Sequence, residues 1–213
     1  ESMQRIYGIA FPTQAELDAW LKLKKDAEDR SHLKLGKDLN LFLISPEVGP
    51  GLPLFTPEGT IIREELQKFL REEQLKLGYL PVVTPHIAKG ELYKISGHLE
   101  LYKDSMFPAM KTDEGDYYLK PMNCPHHIQV YKSELRSYKD LPLRYTEFGT
   151  VYRFEKSGEL TGLTRVRVIT QDDAHVFCRQ SQLKEEFFAI WDIIDTFYGA
   201  FGFTFEKVHL SFH

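Results

Sequence analysis

The chain has 213 residues, of which 42% are hydrophobic and 27% are charged, a composition typical of one large globular domain or two small ones. Its net charge of −4 provides no global basic field for nucleic acid, so a polynucleotide would have to bind at a local patch or through a further domain. Two cysteines exclude a disulfide-dense secreted scaffold, and no apolar run reaches the ~18 residues of a membrane span, so we predict a cytoplasmic protein without membrane contact.

Residues 1–40 predict a helical connector that leads into the rest of the chain. Thr13 and Glu16 have the spacing of a capping box, and the charged helix that follows runs to about Asp29. A second, shorter helix comes before a loop that is rich in proline and glycine. We therefore expect the domain boundary at the end of this connector, with a second unit over 41–213.

The second unit begins with a helix, for which Thr56 and Pro57 have the residue types of an N-cap and a first helical position. The elements predicted in chain order are a helix over 57–77, strands over 79–85 and 117–122, a helix from Pro125, strands over 143–155 and 164–178, a helix over 181–198 and a strand over 203–210. Helices separate some of these strands, while a hairpin joins others. This order predicts an α+β fold with a mostly antiparallel sheet flanked by helices. Neither a Rossmann fingerprint nor a P-loop occurs in the sequence.

The two longest predicted strands each have one apolar face and one charged face, because side chains alternate with a period of two. The charged faces carry Glu147, Arg153, Glu155, Arg165, Gln171, Asp173 and His175. Arginine offers a planar fork to phosphate or carboxylate oxygens, and aspartate accepts from an ammonium group. The pattern therefore suits a ligand that has both phosphate and amine. The alternative is a solvated face with surface ion pairs, which contribute little to stability.

The stretch KPMNCPHH places Cys124 at the start of a predicted helix. If Pro125 is the first helical residue, Cys124 is the N-cap, where the helix dipole would stabilise a thiolate. A thiolate and a neutral imidazole are both zinc ligands, so Cys124 and His175 are candidates for a metal site. The alternatives are a small buried cysteine at a turn and a hydrogen-bonded sheet histidine. For His126 and His127 we predict partly exposed positions and no role as ligands.

Several stretches together resemble class II aminoacyl-tRNA synthetases, and in particular the threonyl-tRNA synthetases. They are RIYGIAFPT, PVVTP, SGHLELYKDSMFP, KPMNCPHH, YRFE, GLTRVR and TQDDAHVFC, in this order along nearly the whole chain. The resemblance implies ATP-dependent activation of threonine to threonyl-adenylate, with Mg²⁺, and transfer to tRNA(Thr). It also implies a homodimer formed through motif 1, which corresponds to the helix over 57–77 together with Pro85.

The resemblance also implies roles for individual residues. The two long strands and the loop KSGELTG correspond to motif 2. Arg153 would contact the α-phosphate of ATP and the amino-acid carboxylate as the catalytic residue, Glu155 the adenine edge and Arg165 the phosphate tail. Cys124 and His175 would be two of three protein ligands to a zinc ion. The residues that would line the threonine site are Met122, Gln171 and Asp173.

The chain departs from this family pattern after residue 210. Motif 3 with its ATP-binding arginine, a third zinc histidine and an anticodon-binding domain would all lie further on, so we expect the 213-residue chain to be inactive, or nearly so, by itself. His213 is an alternative ligand. Two other hypotheses remain open: a non-catalytic synthetase-like module that binds amino acid or ATP, and a class II synthetase for another amino acid such as proline or serine.

Overall fold

The computed structural model describes residues 3–211 and confirms an α+β fold in which helices pack against small, mostly antiparallel sheets. The helices are α1 (Gln14–Asp29), α2 (His32–Asp38), α3 (Pro57–Lys76), α4 (Gly90–Ile95), α5 (His98–Leu101), α6 (Cys124–Lys132) and α7 (Leu183–Ala200). The strands are β1 (Phe42–Leu43), β2 (Leu54–Phe55), β3 (Leu80–Pro81), β4 (Ile87–Lys89), β5 (Met110–Thr112), β6 (Gly115–Leu119), β7 (Leu143–Tyr152) and β8 (Val168–Phe177). No helix within these residues is both long and apolar enough to cross a membrane.

The central sheet has the strand order β3-β7-β8 and is dominated by the β7–β8 hairpin. These two strands pair antiparallel over ten residues each, from Leu143 opposite Phe177 to Tyr152 opposite Val168. The short strand β3 joins the free edge of β7 in parallel, with Leu80 opposite Tyr145. The two strands of this hairpin are the longest strands in the described part of the chain.

The hairpin ends earlier than the predicted strands, because its backbone groups find partners elsewhere. One rung continues beyond β7, where the Arg153 amide donates to the carbonyl of Arg167 at 3.0 Å. The next amides leave the ladder: Phe154 N donates to the carbonyl of Ser105 at 2.8 Å, and Arg167 N donates to that of Gly51 at 2.7 Å. Buried amides need a partner, so these contacts replace the missing rungs and fix the open end of the hairpin.

The two faces of the hairpin are covered by different elements. Helix α3 lies on one face, where Arg63 Nη2 donates to Thr170 Oγ1 at 2.8 Å. Helix α7 packs beside α3, with the rings of Phe69 and Phe197 stacked at 6.0 Å. The N-terminal end of α6 lies over the other face, together with the segment that precedes it. The candidate side chains within the hairpin, Gln171, Asp173 and His175, belong to this second face.

Two predicted elements differ from the structure. The alternating run over 203–210 forms no strand, since these exposed residues have no neighbouring strand among residues 3–211. The predicted strand over 79–85 is ordered as a strand only at Leu80 and Pro81, because the Thr84 amide donates to a side chain, Glu147 Oε1, instead of to a neighbouring strand. The residues Phe212 and His213 lie outside the described part of the chain.

Candidate active site

The β7–β8 register places the candidate residues side by side on one face of the hairpin. Directly opposite residues in an antiparallel pair point to the same side of the sheet. The pairs on this face are Tyr145 with His175, Glu147 with Asp173, and Gly149 with Gln171. The period-two prediction is thus confirmed for Glu147, Gln171, Asp173 and His175, which form one continuous polar surface.

Helix α6 brings its N-terminal end onto this surface through Asn123. The side chain of Asn123 is completely buried and donates from Nδ2 to Asp173 Oδ2 at 2.9 Å. Its close approach depends on Gly149, since a Cβ at that position would lie 2.3 Å from Asn123 Nδ2. The glycine therefore leaves the space in which the Asn123 amide packs and holds the Asp173 carboxylate.

We expect Gly149→Ala to destabilise the protein by about 1–3 kcal/mol, because the new methyl group overpacks the site and displaces Asn123. Displacement would also release Asp173 from the hydrogen bond with the Asn123 amide. Gly158→Ala is the matched control, since a Cβ there meets nothing within 4 Å. Chemical unfolding of both variants provides the measurement, and equal effects of the two substitutions would contradict this explanation.

Cys124 is half-buried and free, and it lies near the same carboxylate. The N-cap of α6 is Asn123, so Cys124 is the first helical residue and the predicted cap was placed one residue too late. Burial raises the pKa of the Cys124 thiol, and the negative charge of Asp173 raises it further. The backbone at this helix end lowers the pKa, as expected for a helix start, but burial and the Asp173 charge outweigh it.

His175 shares the same neighbour. Its Nδ1 lies 3.8 Å from Asp173 Oδ1, and burial lowers its pKa. Asp173 thus influences both the thiol of Cys124 and the imidazole of His175. Residues 3–211 nevertheless hold no group of three or more His, Cys, Asp or Glu side chains arranged to bind a metal ion. The structure therefore shows two candidate ligands near one carboxylate and no complete metal site.

A buried polar network lies beneath these residues, and sequence reasoning did not predict it. Glu147 accepts from the Thr84 amide and hydroxyl, both at 2.8 Å, and contacts His127 Nε2 at 3.0 Å. Lys120 donates to Thr84 Oγ1 at 2.7 Å, with its Nζ 3.8 Å from Glu147 Oε1. The prediction of partly exposed histidines is wrong, because both His126 and His127 are buried.

The charges of this network are held deep inside the protein. Burial lowers the pKa of Lys120. For Glu147, burial alone would raise the pKa, but the Thr84 and His127 hydrogen bonds and the Lys120 charge together lower it. One indication of this network was present in the sequence, because the alternation of β7 and β8 places Glu147 on the same face as Asp173 and His175. Its partners Thr84 and Lys120 come from separate segments, which no local pattern connects to β7.

Arg153 follows β7 directly and is half-buried. Its backbone amide is fixed by the carbonyl of Arg167, while its guanidinium makes no hydrogen bond or ion pair with any residue in 3–211. An arginine with a fixed backbone and a guanidinium group that is unpaired among the described residues is suited to bind an anion. Met122 and Gln171 are also half-buried, in the segment before α6 and on the polar face of β8.

The open end of the hairpin carries a charge cluster formed by Arg165, Glu155 and Glu159. Arg165 Nη2 lies 2.8 Å from Glu155 Oε2 and 3.0 Å from Glu159 Oε2. Arg167 braces the same loop, with its Nε donating to the carbonyl of Glu155 at 3.0 Å. Glu155 and Arg165, to which the family resemblance gives separate contacts with ATP, are therefore paired with each other in this structure.

This face can neutralise an anion and a cation at the same time. Its open end has the unpaired guanidinium of Arg153 and the Arg165 cluster, while its middle has the Asp173 carboxylate beside Cys124 and His175. Such an arrangement suits a ligand that has both an anionic group, such as a phosphate or carboxylate, and an amine.

Comparisons with known proteins identify relatives of this chain. Threonine–tRNA ligases of Deinococcus radiodurans and Chlorobium phaeovibrioides are 56% and 54% identical over 95% and 100% of the chain. The chain spans about a third of the length of these relatives, 31% and 33% respectively. A crystal structure described as the RNA binding domain of threonyl-tRNA synthetase from Cryptosporidium parvum Iowa II is 42% identical, with a TM-score of 0.79 over 82% of this chain and 44% of that one.

The family model of the class II tRNA synthetase core domain (G, H, P, S and T) matches residues 104–213, just over half of the chain. The matched segment includes β7, β8 and α6, which are the elements that build the polar face. A match over this much of the chain shows the family, and the chain belongs to the class II core-domain family of the tRNA synthetases.

Proposed function

We propose that the chain is part of a threonine–tRNA ligase, in which the polar face of the hairpin binds threonine and ATP. The observation that carries the proposal is the convergence of Cys124, Asp173 and His175 on one face that ends in the unpaired guanidinium of Arg153. The identity of 54–56% to threonine–tRNA ligases supports the choice of threonine as the amino acid. A prolyl-tRNA synthetase of Giardia lamblia shares the fold, with a TM-score of 0.73, but is only 22% identical.

In the proposed reaction, the threonine carboxylate attacks the α-phosphate of ATP, and pyrophosphate leaves. The resulting adenylate then passes threonine to the terminal hydroxyl of tRNA(Thr). Arg153 would bind the α-phosphate and the attacking carboxylate together, which aligns the reacting atoms and neutralises charge as it develops. Magnesium bound by ATP would share this neutralisation. Glu155 would contact the adenine edge, and Arg165 the phosphate tail.

Zinc is proposed as a further component, because Cys124 and His175 have the donor chemistry of zinc ligands. The half-buried position of both groups and their common neighbour Asp173 fit a site that is reached from the polar face. Two donors do not complete a tetrahedral ion, so a third protein ligand would have to come from beyond residues 3–211. When bound, the zinc would act as a Lewis acid for the threonine amine and hydroxyl.

The chain's own residues would define the pocket around that substrate. Asp173 would accept from the threonine ammonium, and the Asn123 amide would hold the carboxylate in place. Met122 and Gln171 would line the remaining wall. Valine has nearly the shape of threonine, and apolar contacts separate such isosteres by only about a hundredfold. A site that must bind the hydroxyl rejects valine much more strongly, because it would leave polar groups unpaired.

Elemental analysis and calorimetry with threonine, valine and serine test the proposal. We expect zinc in the protein, binding of threonine, weak binding of serine and no measurable binding of valine. Cys124→Ser should lower the zinc content and reduce threonine affinity at least tenfold, while Cys178→Ser, which changes the other free cysteine, should change neither. Undiminished zinc in the Cys124 variant would remove this residue from the site, and equal affinity for valine would contradict the threonine assignment.

We also propose a homodimer for the protein and two units within this chain. A homodimer formed through α3 is supported by the apolar side chains that this helix exposes, among them Ile61 at 60% and Ile62 at 48%.

Residues 1–40 are proposed as a connector and 41–213 as the first part of the catalytic domain. His32 Nε2 accepts from the Leu163 amide at 3.0 Å, so the connector braces the motif 2 loop. The two free cysteines support a cytoplasmic location.

A further inference from the structure

The histidine pair His127–His175 connects the buried network to the candidate metal face. Nδ1 of His175 lies 2.9 Å from Nδ1 of His127, with the two rings nearly perpendicular at 77°. A hydrogen bond between two imidazole nitrogens requires one protonated and one bare nitrogen. The direction of this bond decides which nitrogen of His175 has a free lone pair.

The direction of the His127–His175 hydrogen bond follows from the contacts of Lys120, Thr84 and Glu147. Lys120 has only donors, so Thr84 Oγ1 must accept from it at 2.7 Å. The proton of the Thr84 hydroxyl then points to Glu147 Oε2 at 2.8 Å. An ionised carboxylate only accepts, which means that the third contact of Glu147, His127 Nε2 at 3.0 Å, must be an N–H donor.

The charges of the network favour a neutral His127 imidazole that has its only N–H proton on Nε2. The side chains of Lys120 and Glu147 are 1% and 6% exposed, and their opposite charges already compensate each other. The side chain of His127 is 0% exposed, so a second proton would add a second buried positive charge beside a carboxylate that Lys120 already neutralises. Nδ1 of His127 is therefore bare and accepts from Nδ1–H of His175. The Asp173 carboxylate, 3.8 Å from that nitrogen, favours the proton there.

We infer that the buried series Lys120, Thr84, Glu147 and His127 fixes His175 in the tautomer with the proton on Nδ1, so that Nε2 presents its lone pair to a metal ion. His127 and Glu147 are then positioning residues for the proposed ligand. Partners of this kind orient a metal-binding histidine and raise its basicity, and their loss typically reduces metal affinity 10- to 100-fold. The assignment of the tautomer rests on the network alone, whereas its use for zinc rests on the proposed function.

The tautomers can be measured in the metal-free protein from imidazole ¹⁵N shifts and long-range ¹H–¹⁵N correlations. We expect Nδ1–H for His175 and Nε2–H for His127. In Glu147→Gln, the Thr84 amide keeps the carboxamide oxygen, so the NH₂ group faces His127 and both histidines should adopt the opposite tautomer. A proton on Nε2 of His175 in the unmodified protein, or unchanged tautomers in Glu147→Gln, would overturn the inference.

The matched pair His127→Gln and His127→Phe separates positioning from packing, because only glutamine retains one donor and one acceptor. Chelator competition with Zn²⁺ should show a 10- to 100-fold loss of affinity in His127→Phe and a smaller loss in His127→Gln. Thermal unfolding of both variants checks that they are folded. Equal losses in the two would overturn the positioning role. If the tautomers are as expected and Zn²⁺ does not bind the unmodified protein, the proposed zinc site fails and the tautomer assignment stands.

Discussion

On the proposed function, Arg153→Ala should reduce threonine-dependent ATP–pyrophosphate exchange by the intact protein by about 10²- to 10³-fold, the range found when one preorganised donor to a developing charge is removed. The guanidinium is half-buried and unpaired within residues 3–211, so no ion pair inside the described structure is broken by the change. The loss should therefore appear in the rate of the chemical step, with little change in the free energy of unfolding.

Two further variants test whether the loss of exchange rate is specific to position 153 and to the planar guanidinium group. Arg153→Lys keeps the charge but cannot hold two oxygens at once, so we expect only partial recovery of the exchange rate. Arg179→Ala removes an exposed arginine at the other end of the hairpin and should leave the rate unchanged. Exchange by Arg153→Ala within threefold of the unmodified protein would show that this arginine does not act on the reacting phosphate.

Glu147→Ala should destabilise the fold by about 3–5 kcal/mol, because it leaves the buried ammonium group of Lys120 without its counter-charge. The Thr84 amide, which donates to Glu147 Oε1, would also lose its partner. Unfolding in urea measures the loss. Glu159→Ala is a suitable control, since its ion pair with Arg165 is exposed and such pairs contribute about 0–1 kcal/mol.

The double variant Lys120→Met/Glu147→Ala should be more stable than Glu147→Ala alone, because it also removes the uncompensated buried ammonium group. If the single and double variants were equally destabilised, the uncompensated charge would not be the cause. This comparison separates the effect of the charge from the effect of lost packing in the same region.

Acid should weaken the protein through the same carboxylate. The pKa of Glu147 is lower in the folded protein than its unfolded value of about 4.3. Its contribution to stability is therefore complete above that value and disappears as the pH falls through the folded pKa. Glu147→Gln cannot titrate, so its free energy of unfolding should depend less steeply on pH below about 4.3 than that of the unmodified protein.

Local patterns were sufficient to predict which side chains share the polar face. The period of two along β7 and β8 placed Glu147, Asp173 and His175 together, and the observed register confirms it. The predicted start of α6 was one residue late, because Asn123 already has helical backbone angles of φ −85° and ψ −19° and serves as the cap. Propensity alone could not place this boundary, since Pro125 is acceptable at either of the first two helical positions.

The buried network could not be predicted, because it is assembled from distant segments. Thr84 contacts Glu147 across 63 positions, and His127 contacts His175 across 48. Lys120 has the residue type least expected in a core, and it is accommodated only because a carboxylate and a hydroxyl from two other segments meet it there. The electrostatics of Cys124 were missed for the same reason, since Asp173 comes from a strand about 50 positions away.

The cluster of Arg165, Glu155 and Glu159 has a consequence for how a nucleotide would enter. Before it arrives, the guanidinium is occupied by two carboxylates, so on the proposed function binding is an exchange of anionic partners and not the capture of a bare charge. The incoming triphosphate releases Glu155 at the moment when an adenine edge becomes available to it. A synthetase built in this way would keep its nucleotide-free loop ordered and would couple recognition of the base to displacement by the phosphates.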